Sequence, residues 1–242
     1  MPTIKEIRGE ATKHYSSLHR KFLHESGFYL TKIFLYTPLT PNQITIIWFM
    51  MQLVALPLVF KGTYWSILLG TILFQFAIII DCVDGQVARY RKTTSLMGTY
   101  LDQFVHNITN PAFLLCLSIA VWRNTGVIWY LYVGIAGVLS FWHTRLLTLN
   151  PLWFREEHRP LLGKHFDSFA MRKHVVWIYD SLKIEYPLNF LFFGVLLGFA
   201  NIMVVAYAAM YFIDCIKRTI FQFKKVHDAD KEIGPGAKGG LW

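Results

Sequence analysis

The chain has 242 residues, 54% of them hydrophobic and 17% aromatic, and only 16% charged, a balance too apolar for an ordinary water-soluble domain. Its formal net charge of +9 would suit nucleic acid, but the positive residues flank hydrophobic runs instead of forming one basic face. That excludes a nucleic-acid binder and points to membrane lipids with anionic headgroups and to phosphate-bearing substrates.

The N-terminal stretch MPTIKEIRGEATKHY has no apolar signal region, so the first span is expected to act as the insertion signal. Residues 16–36, SSLHRKFLHESGFYLTKIFLY, set Leu18, Phe22, Tyr29, Ile33 and Tyr36 at roughly helical spacing among basic residues. This pattern predicts an amphipathic interfacial helix on the cytoplasmic surface, within an N-terminal region 1–39; the alternative is a solvated basic leader. TPLTPNQIT follows. Thr40 can cap a helix, Pro41 suits its first position, and Asn42 falls where exposed backbone N–H groups favour an anion.

A membrane span takes about 20 mostly apolar residues. Runs of that kind begin near Ile44, Tyr64, Gly98 and Gly126, and the long stretch from Pro187 to Phe221 divides most simply near Gly198 to Asn201. The expectation is an all-α polytopic membrane domain over 40–223 with six transmembrane helices. With both termini cytoplasmic, only Lys61 and Arg123 of the 24 Lys and Arg residues fall in outer loops. The inner segment from Asn150 to Lys183, with REEHRP, HFDSF and RKH, is long for a connector and reads as a surface-lying segment, an acceptor-site lining or a charged loop. Residues 224–242, ending in GPGAKGGLW, read as a disordered cytoplasmic tail. Cys82, Cys116 and Cys215 form neither a disulfide framework nor a zinc pattern and read as small core residues.

The chemistry concentrates in residues 81–106, DCVDGQVARYRKTTSLMGTYLDQFVH. Asp81 and Asp84 are three apart at the end of the second span, and Asp102 and His106 four apart at the start of the third, so each pair shares a helix face. Two adjacent antiparallel helices then bring four ligand-type side chains together at the inner membrane surface. Three carboxylates in one low-dielectric pocket repel one another unless a cation holds them. Carboxylate oxygens suit Mg²⁺ or Mn²⁺, ions that commonly bridge protein carboxylates to substrate phosphates. Gly85, Ala88 and Gly98 leave room for a bulky group near the backbone, and Arg89 can clamp a phosphate; Arg91 and Lys92 read as positive-inside charges. A transporter is the contrasting class, but its ionisable residues belong near mid-bilayer with inverted repeats, and no repeat is visible here.

The stretch resembles the signature of the CDP-alcohol phosphotransferase family, DxxDGxxARx8GxxxDxxxD, with Asp81, Asp84, Gly85, Ala88, Arg89, Gly98 and Asp102 matching in identity and spacing. The six-span layout and the TPNQIT entry to the first span are similar as well. The resemblance implies an integral membrane transferase of phospholipid biosynthesis that moves a substituted phosphate from a CDP-alcohol to a hydroxyl acceptor and releases CMP. It implies Asp81, Asp84 and Asp102 as ligands of two divalent ions, and Asn42, Thr45, Gly85, Ala88, Arg89 and Gly98 at the CDP site. It further implies a homodimer. A lipidic donor, CDP-diacylglycerol, is favoured for so compact a chain; a soluble CDP-alcohol with a lipid acceptor is the alternative, and a non-catalytic CDP-binding relative a third reading. His143, Arg145, Arg155 and Arg159 are candidates for gripping a charged acceptor, with positive-inside topology the competing account. Compactness suggests the bacterial inner membrane.

His106 stands where the family pattern has its last aspartate. As a base, imidazole is well matched to neutral pH; as a ligand it removes one negative charge and one hard oxygen, so a second Mg²⁺ should bind less well. A subfamily with a histidine base, a weakened relative and an introduced substitution all stay open.

Overall fold

The computed structural model describes residues 3–11, 18–148 and 190–233, which form eight helices and no strand. They are α1 (Ile4–Ala11), α2 (Leu18–Leu35), α3 (Pro41–Lys61), α4 (Tyr64–Tyr90), α5 (Leu96–Thr125), α6 (Trp129–Thr148), α7 (Phe190–Leu196) and α8 (Ala200–Ile233). The segment 150–183, with Arg155 and Arg159, and the terminal GPGAKGGLW lie outside the described residues.

Local chemistry sets the helix boundaries. At α3, Thr40 and Gln43 form a reciprocal capping box: Gln43 N–H donates to Thr40 Oγ1 at 3.3 Å, and Thr40 N–H donates to Gln43 Oε1 at 2.8 Å. Thr63 and Ser95 cap α4 and α5 in the simpler one-sided way. Gly62 and Gly126, with φ of +88° and +71°, close α3 and α5 in the left-handed region. The connection between α3 and α4 is so short that the two must run antiparallel, and α5 returns beside both. Asn124 Nδ2 donates to the Gly62 carbonyl at 2.6 Å and ties their far ends together.

One apolar core fills the middle of the bundle, with Ala55 and Val59 from α3, Phe74 and Ile78 from α4, Phe113 and Leu117 from α5, and Val204 and Tyr207 from α8. The Phe74 and Phe113 rings meet at 4.6 Å between centroids. A second cluster, Ile44, Trp48, Ala77, Ile80, Val83, Val87 and Val105, packs the first half of α3 against the parts of α4 and α5 that carry the aspartates. Close approach of α6 to α8 depends on Gly137, where a Cβ would stand 2.9 Å from the Ala208 Cα.

Among the described residues, α3, α4, α5 and the Ala200–Asp228 part of α8 are long and apolar enough to cross a membrane. These are four helices where six spans are expected. The fourth expected span coincides with α6, which packs between α5 and α8 but carries His143, Thr144 and Arg145 in its last turns and falls short by composition. The expected break near Gly198 is present: Gly198 adopts φ +79° between α7 and α8. Instead of ending at Phe223, α8 continues to Ile233, so residues 224–233, expected within the disordered tail, are helical. KKVHDADKEI contains no proline or glycine, and loss of hydropathy ends a span without ending a helix.

Within the stretch 16–36, expected to form an interfacial helix, Leu18–Leu35 is helical as α2, and it is docked on α4. Tyr29, Ile33 and Tyr36 point outward, while Phe28 and Thr31 are buried. Arg8 of α1 pairs with Glu25 of α2. Arg91, read from sequence as a topology charge, instead donates to carbonyls at the turn between α2 and α3: Leu39 at 2.5 Å, Thr37 at 2.8 Å, and Phe34 and Leu35 at 3.5 Å each. Phe34 and Leu35 belong to the last turn of α2, so the guanidinium acts as its C-terminal cap. We expect Arg91→Leu to lower unfolding stability in detergent by about 2 kcal/mol and to speed amide exchange in residues 37–43. Unchanged exchange there would show that the turn holds without it.

Candidate functional site

The site forms where the end of α4 and the beginning of α5 converge across the 91–95 turn. Thr93 N–H donates to the Ala88 carbonyl at 2.8 Å and Lys92 N–H to the Arg89 carbonyl at 3.1 Å, with Lys92 at φ 55°. This is a left-handed helix stop built on lysine, and it sends α5 back along α4.

His106 Nε2 lies 3.3 Å from Asp102 Oδ1, one turn earlier on α5, and 3.4 Å from Asp81 Oδ2 on α4. Asp81, Asp102 and His106 thereby offer three ligand atoms that lie within 4.8 Å of one another. The His106 ring lies over Trp48 of α3, with centroids 5.1 Å apart at 33°. Its other nitrogen, Nδ1, is buried and has no hydrogen-bond partner among the described residues. Two carboxylate oxygens and an imidazole nitrogen this close together fit a divalent cation: the carboxylates supply charge, and the imidazole adds a neutral donor.

Asp84 is placed differently. Its Oδ2 accepts hydrogen bonds from Thr45 Oγ1 at 2.5 Å and from Trp48 Nε1 at 3.0 Å, both from α3. A three-residue step on a helix leaves two side chains about 60° apart around the axis. Asp81 accordingly faces α5 while Asp84 faces α3. The spacing that suggested one ligand set distributes the carboxylates over two neighbouring helices.

Two cavities adjoin at these residues. The first, of about 320 Å³, is lined by Asp81, Asp84, Gly85, Arg89, Asp102 and His106, together with His24, Cys82, Gln103 and Arg145. The second, of about 340 Å³, has Asn42, Thr45, Gly85, Ala88, Arg89 and Gly98 on its walls, with Asp84, Asp102 and the 93–95 turn. Asp84, Gly85, Arg89 and Asp102 line both. At Gly98 a Cβ would come within 3.2 Å of Asn42 Oδ1 and of the Ser95 cap oxygen, so glycine permits α5 to start this close to α3.

The six residues expected at the CDP site thus line the second cavity, and of the expected metal ligands Asp84 and Asp102 line both cavities while Asp81 and His106 line the first. Arg145 reaches the first cavity from the end of α6. His143 does not line it; its Nε2 lies 3.4 Å from Thr219 Oγ1 of α8. The sequence reading missed Trp48, His24 and Gln103. Trp48 follows Thr45 by three residues and shares its face, a signal that was available. For His24 no local signal exists, because the docking of α2 on α4 puts it there.

The sequence model of the CDP-alcohol phosphatidyltransferase family matches residues 38–213, most of the chain, and the chain belongs to that family. Its members transfer a phosphoalcohol from a CDP-alcohol to an alcohol acceptor and are divalent-metal dependent. Over 101 residues the chain is 32% identical to the bifunctional IPC transferase and DIPP synthase of Thermococcus kodakarensis, and over 102 residues 33% identical to the protein of that name from Aquifex aeolicus. Each match covers 42% of this chain and 22% of the relative, so the chain spans about a fifth of the length of these relatives over the matched region.

Trp48→Phe keeps a ring against His106 and removes the indole donor to Asp84. We expect it to cost about 1 kcal/mol of stability, and Thr45→Val to cost a similar amount. The double variant should lose less than the sum if the two donors support one carboxylate orientation, as a double-mutant cycle on thermal unfolding would show.

Proposed function

We propose that this chain catalyses transfer of a substituted phosphate from CDP-diacylglycerol to a small hydroxyl-bearing acceptor, releasing CMP. The observation that carries the reading is the junction of the two cavities: the CDP-type wall of Asn42, Thr45, Gly85, Ala88, Arg89 and Gly98 meets the Asp81, Asp102 and His106 cluster there, and Asp102 lines both. A donor whose nucleotide occupies the second cavity would present its pyrophosphate to the cluster.

In this reading Asp81, Asp102 and His106 hold a divalent cation, with Asp84 beside them held by Thr45 and Trp48. Mg²⁺ or Mn²⁺ at that place would neutralise charge on the donor pyrophosphate. Arg89, which lines both cavities, binds phosphate oxygens. The acceptor hydroxyl oxygen forms a bond to the β-phosphorus as the bond from that phosphorus to the bridging oxygen breaks. CMP leaves with the electron pair, and the hydroxyl proton passes to a base of the cluster. His106 has one nitrogen facing the cluster for both of its expected roles. Nε2 lies against both carboxylates, which favours the ligand role; as base it must be free of the cation.

Apolar side chains flank the CDP-type cavity and support a lipidic donor. Leu96, Met97 and Tyr100 on α5 and Ile46 and Met50 on α3 are at least half exposed, as acyl chains beside the site require. The alternative, a soluble CDP-alcohol with a lipid acceptor, uses the same surface for the other substrate. The proposal includes a multi-pass membrane protein with both termini cytoplasmic, which the placement of Lys and Arg supports. It also includes a homodimer in a bacterial inner membrane.

The test is CMP release by the purified full-length protein in detergent micelles. With CDP-diacylglycerol, Mg²⁺ or Mn²⁺ and an equimolar mixture of glycerol, glycerol 3-phosphate, inositol and serine, we expect metal-dependent release. Release only from CDP-choline with diacylglycerol would assign the soluble-donor arrangement. Asp81→Asn and Asp102→Asn should each lower the rate by about a hundredfold or more, beyond the usual effect of an outer-shell partner; an undiminished rate in either would remove it from the ligand set. His106→Ala separates the two histidine roles. Loss of Mn²⁺ affinity of at least about tenfold marks a ligand, whereas unchanged affinity with lost turnover marks a base.

A further inference from the structure

One helical turn beyond the metal-type cluster, the bundle buries two carboxamides. Gln52 of α3 and Asn110 of α5 are both 0% exposed, and their four amide oxygen and nitrogen atoms have no hydrogen-bond partner among the described residues. Carboxamides enclosed in this way are costly unless something satisfies them. The backbone at the same place is matched more closely. Pro111 removes the donor that the Asn107 carbonyl would normally use, and Trp142 Nε1 of α6 supplies one at 3.1 Å.

Both amides fall at one level of the bundle. On α3, Gln52 lies between Trp48 of one apolar cluster and Ala55 of the other; on α5, Asn110 lies between Val105 and Phe113 of the same two clusters. The two helices run in the same direction, since Trp48 meets His106 near one end and Asn124 meets Gly62 at the other. Gln52 and Asn110 each follow that ring pair by four residues, about 6 Å along the axis. Helical side chains lean toward the N-terminus, so both lean back toward His106. On α4, which runs the opposite way, the residue four before Asp81 is the buried Ala77, small enough to leave room for water. His106 Nδ1, buried and also without a partner among the described residues, belongs to the same group of atoms.

An imidazole that binds a cation through Nε2 carries its proton on Nδ1, and a buried N–H needs an acceptor. We propose that Gln52 and Asn110 hold internal water that accepts this N–H, which makes them positioning residues acting through His106. A buried water makes about three hydrogen bonds to groups that the protein leaves unsatisfied. Here it accepts from Nδ1–H and donates its own hydrogens to the two amide oxygens, and its remaining lone pair takes an amide hydrogen. The inference rests on the cation-ligand part of the reading above. It also ties the two amides to the histidine itself, because an aspartate at position 106 would have no ring proton to place.

The test measures Mn²⁺ affinity of the full-length protein in micelles by electron paramagnetic resonance, without substrate. Asn110→Leu and Gln52→Leu should each lower that affinity about tenfold. Asn110→Ser, which keeps an acceptor and leaves space for a further water, should recover most of the loss. In a His106→Asp background, Asn110→Leu should leave the affinity unchanged. In wild type labelled with ¹⁵N-histidine and saturated with Mg²⁺, the signal that is missing from His106→Asp should carry the Nδ1–H pattern. Full affinity in both leucine variants overturns the inference. So does an equal loss in the His106→Asp background, which would make the amides packing elements only, and so does an Nε2–H signal. A wild type whose Mn²⁺ binding is insensitive to Asp81→Asn removes the cation reading and this inference with it, whereas binding that depends on Asp81 but not on Gln52 or Asn110 removes this inference alone.

Discussion

Carboxylates at the ends of apolar helices have to be satisfied by other parts of the chain, and that requirement organises this bundle. A buried polar group without a partner costs several kcal/mol in a medium of low dielectric. Asp84 is satisfied from α3, through Thr45 and Trp48. Asp81 and Asp102 are satisfied across the junction of α4 and α5, through His106. The contacts of Asp84 with Thr45 and Trp48 and of Asp81 with His106 also fix one helix against another. The same contacts leave an open junction where two cavities meet, so the chemistry and the packing of this end of the molecule share one set of side chains.

Helix starts were legible because their chemistry is local. Thr40, Pro41 and Gln43 form a cap with residues within three positions of each other, and no distant contact is needed to recognise it. The Asp102 and His106 pair was legible for the same reason, since a four-residue step on a helix brings two side chains together wherever the helix lies. The partition of Asp81 and Asp84 was not, because which helix stands on which side of α4 is decided by packing. Sequence shows the sign of a charge and not its neighbours, so Arg91 looked like a topology signal when it caps the end of α2. Hydropathy located the break at Gly198 but gave no warning that α8 continues past its apolar part.

The docking of α2 lay furthest from what sequence could convey. Thr31 of α2 donates to Gln86 of α4 across 55 positions, and neither belongs to the aspartate signature as a fixed residue. Gln86 occupies one of the variable places within DGxxAR. A spacing motif records residues that share a helix, whereas this contact joins a helix outside the candidate spans to the flank of one that carries two of the aspartates.

The histidine at position 106 alters the charge balance at the centre of the site. Where the family pattern has a fourth carboxylate, an imidazole removes one negative charge from a low-dielectric pocket. In the proposed reaction, affinity for a cation would fall with that charge, because attraction between ligands and ion is strong where water is scarce. Repulsion toward an incoming pyrophosphate would fall as well, and the two changes would oppose each other. Packing reinforces the exchange. Trp48 gives the imidazole a flat surface to lie on at 5.1 Å, a contact that suits an aromatic ring and gives a carboxylate little in return. The tryptophan that holds Asp84 through its N–H therefore also favours a ring at position 106, and these two features of the site are coupled through one side chain of α3.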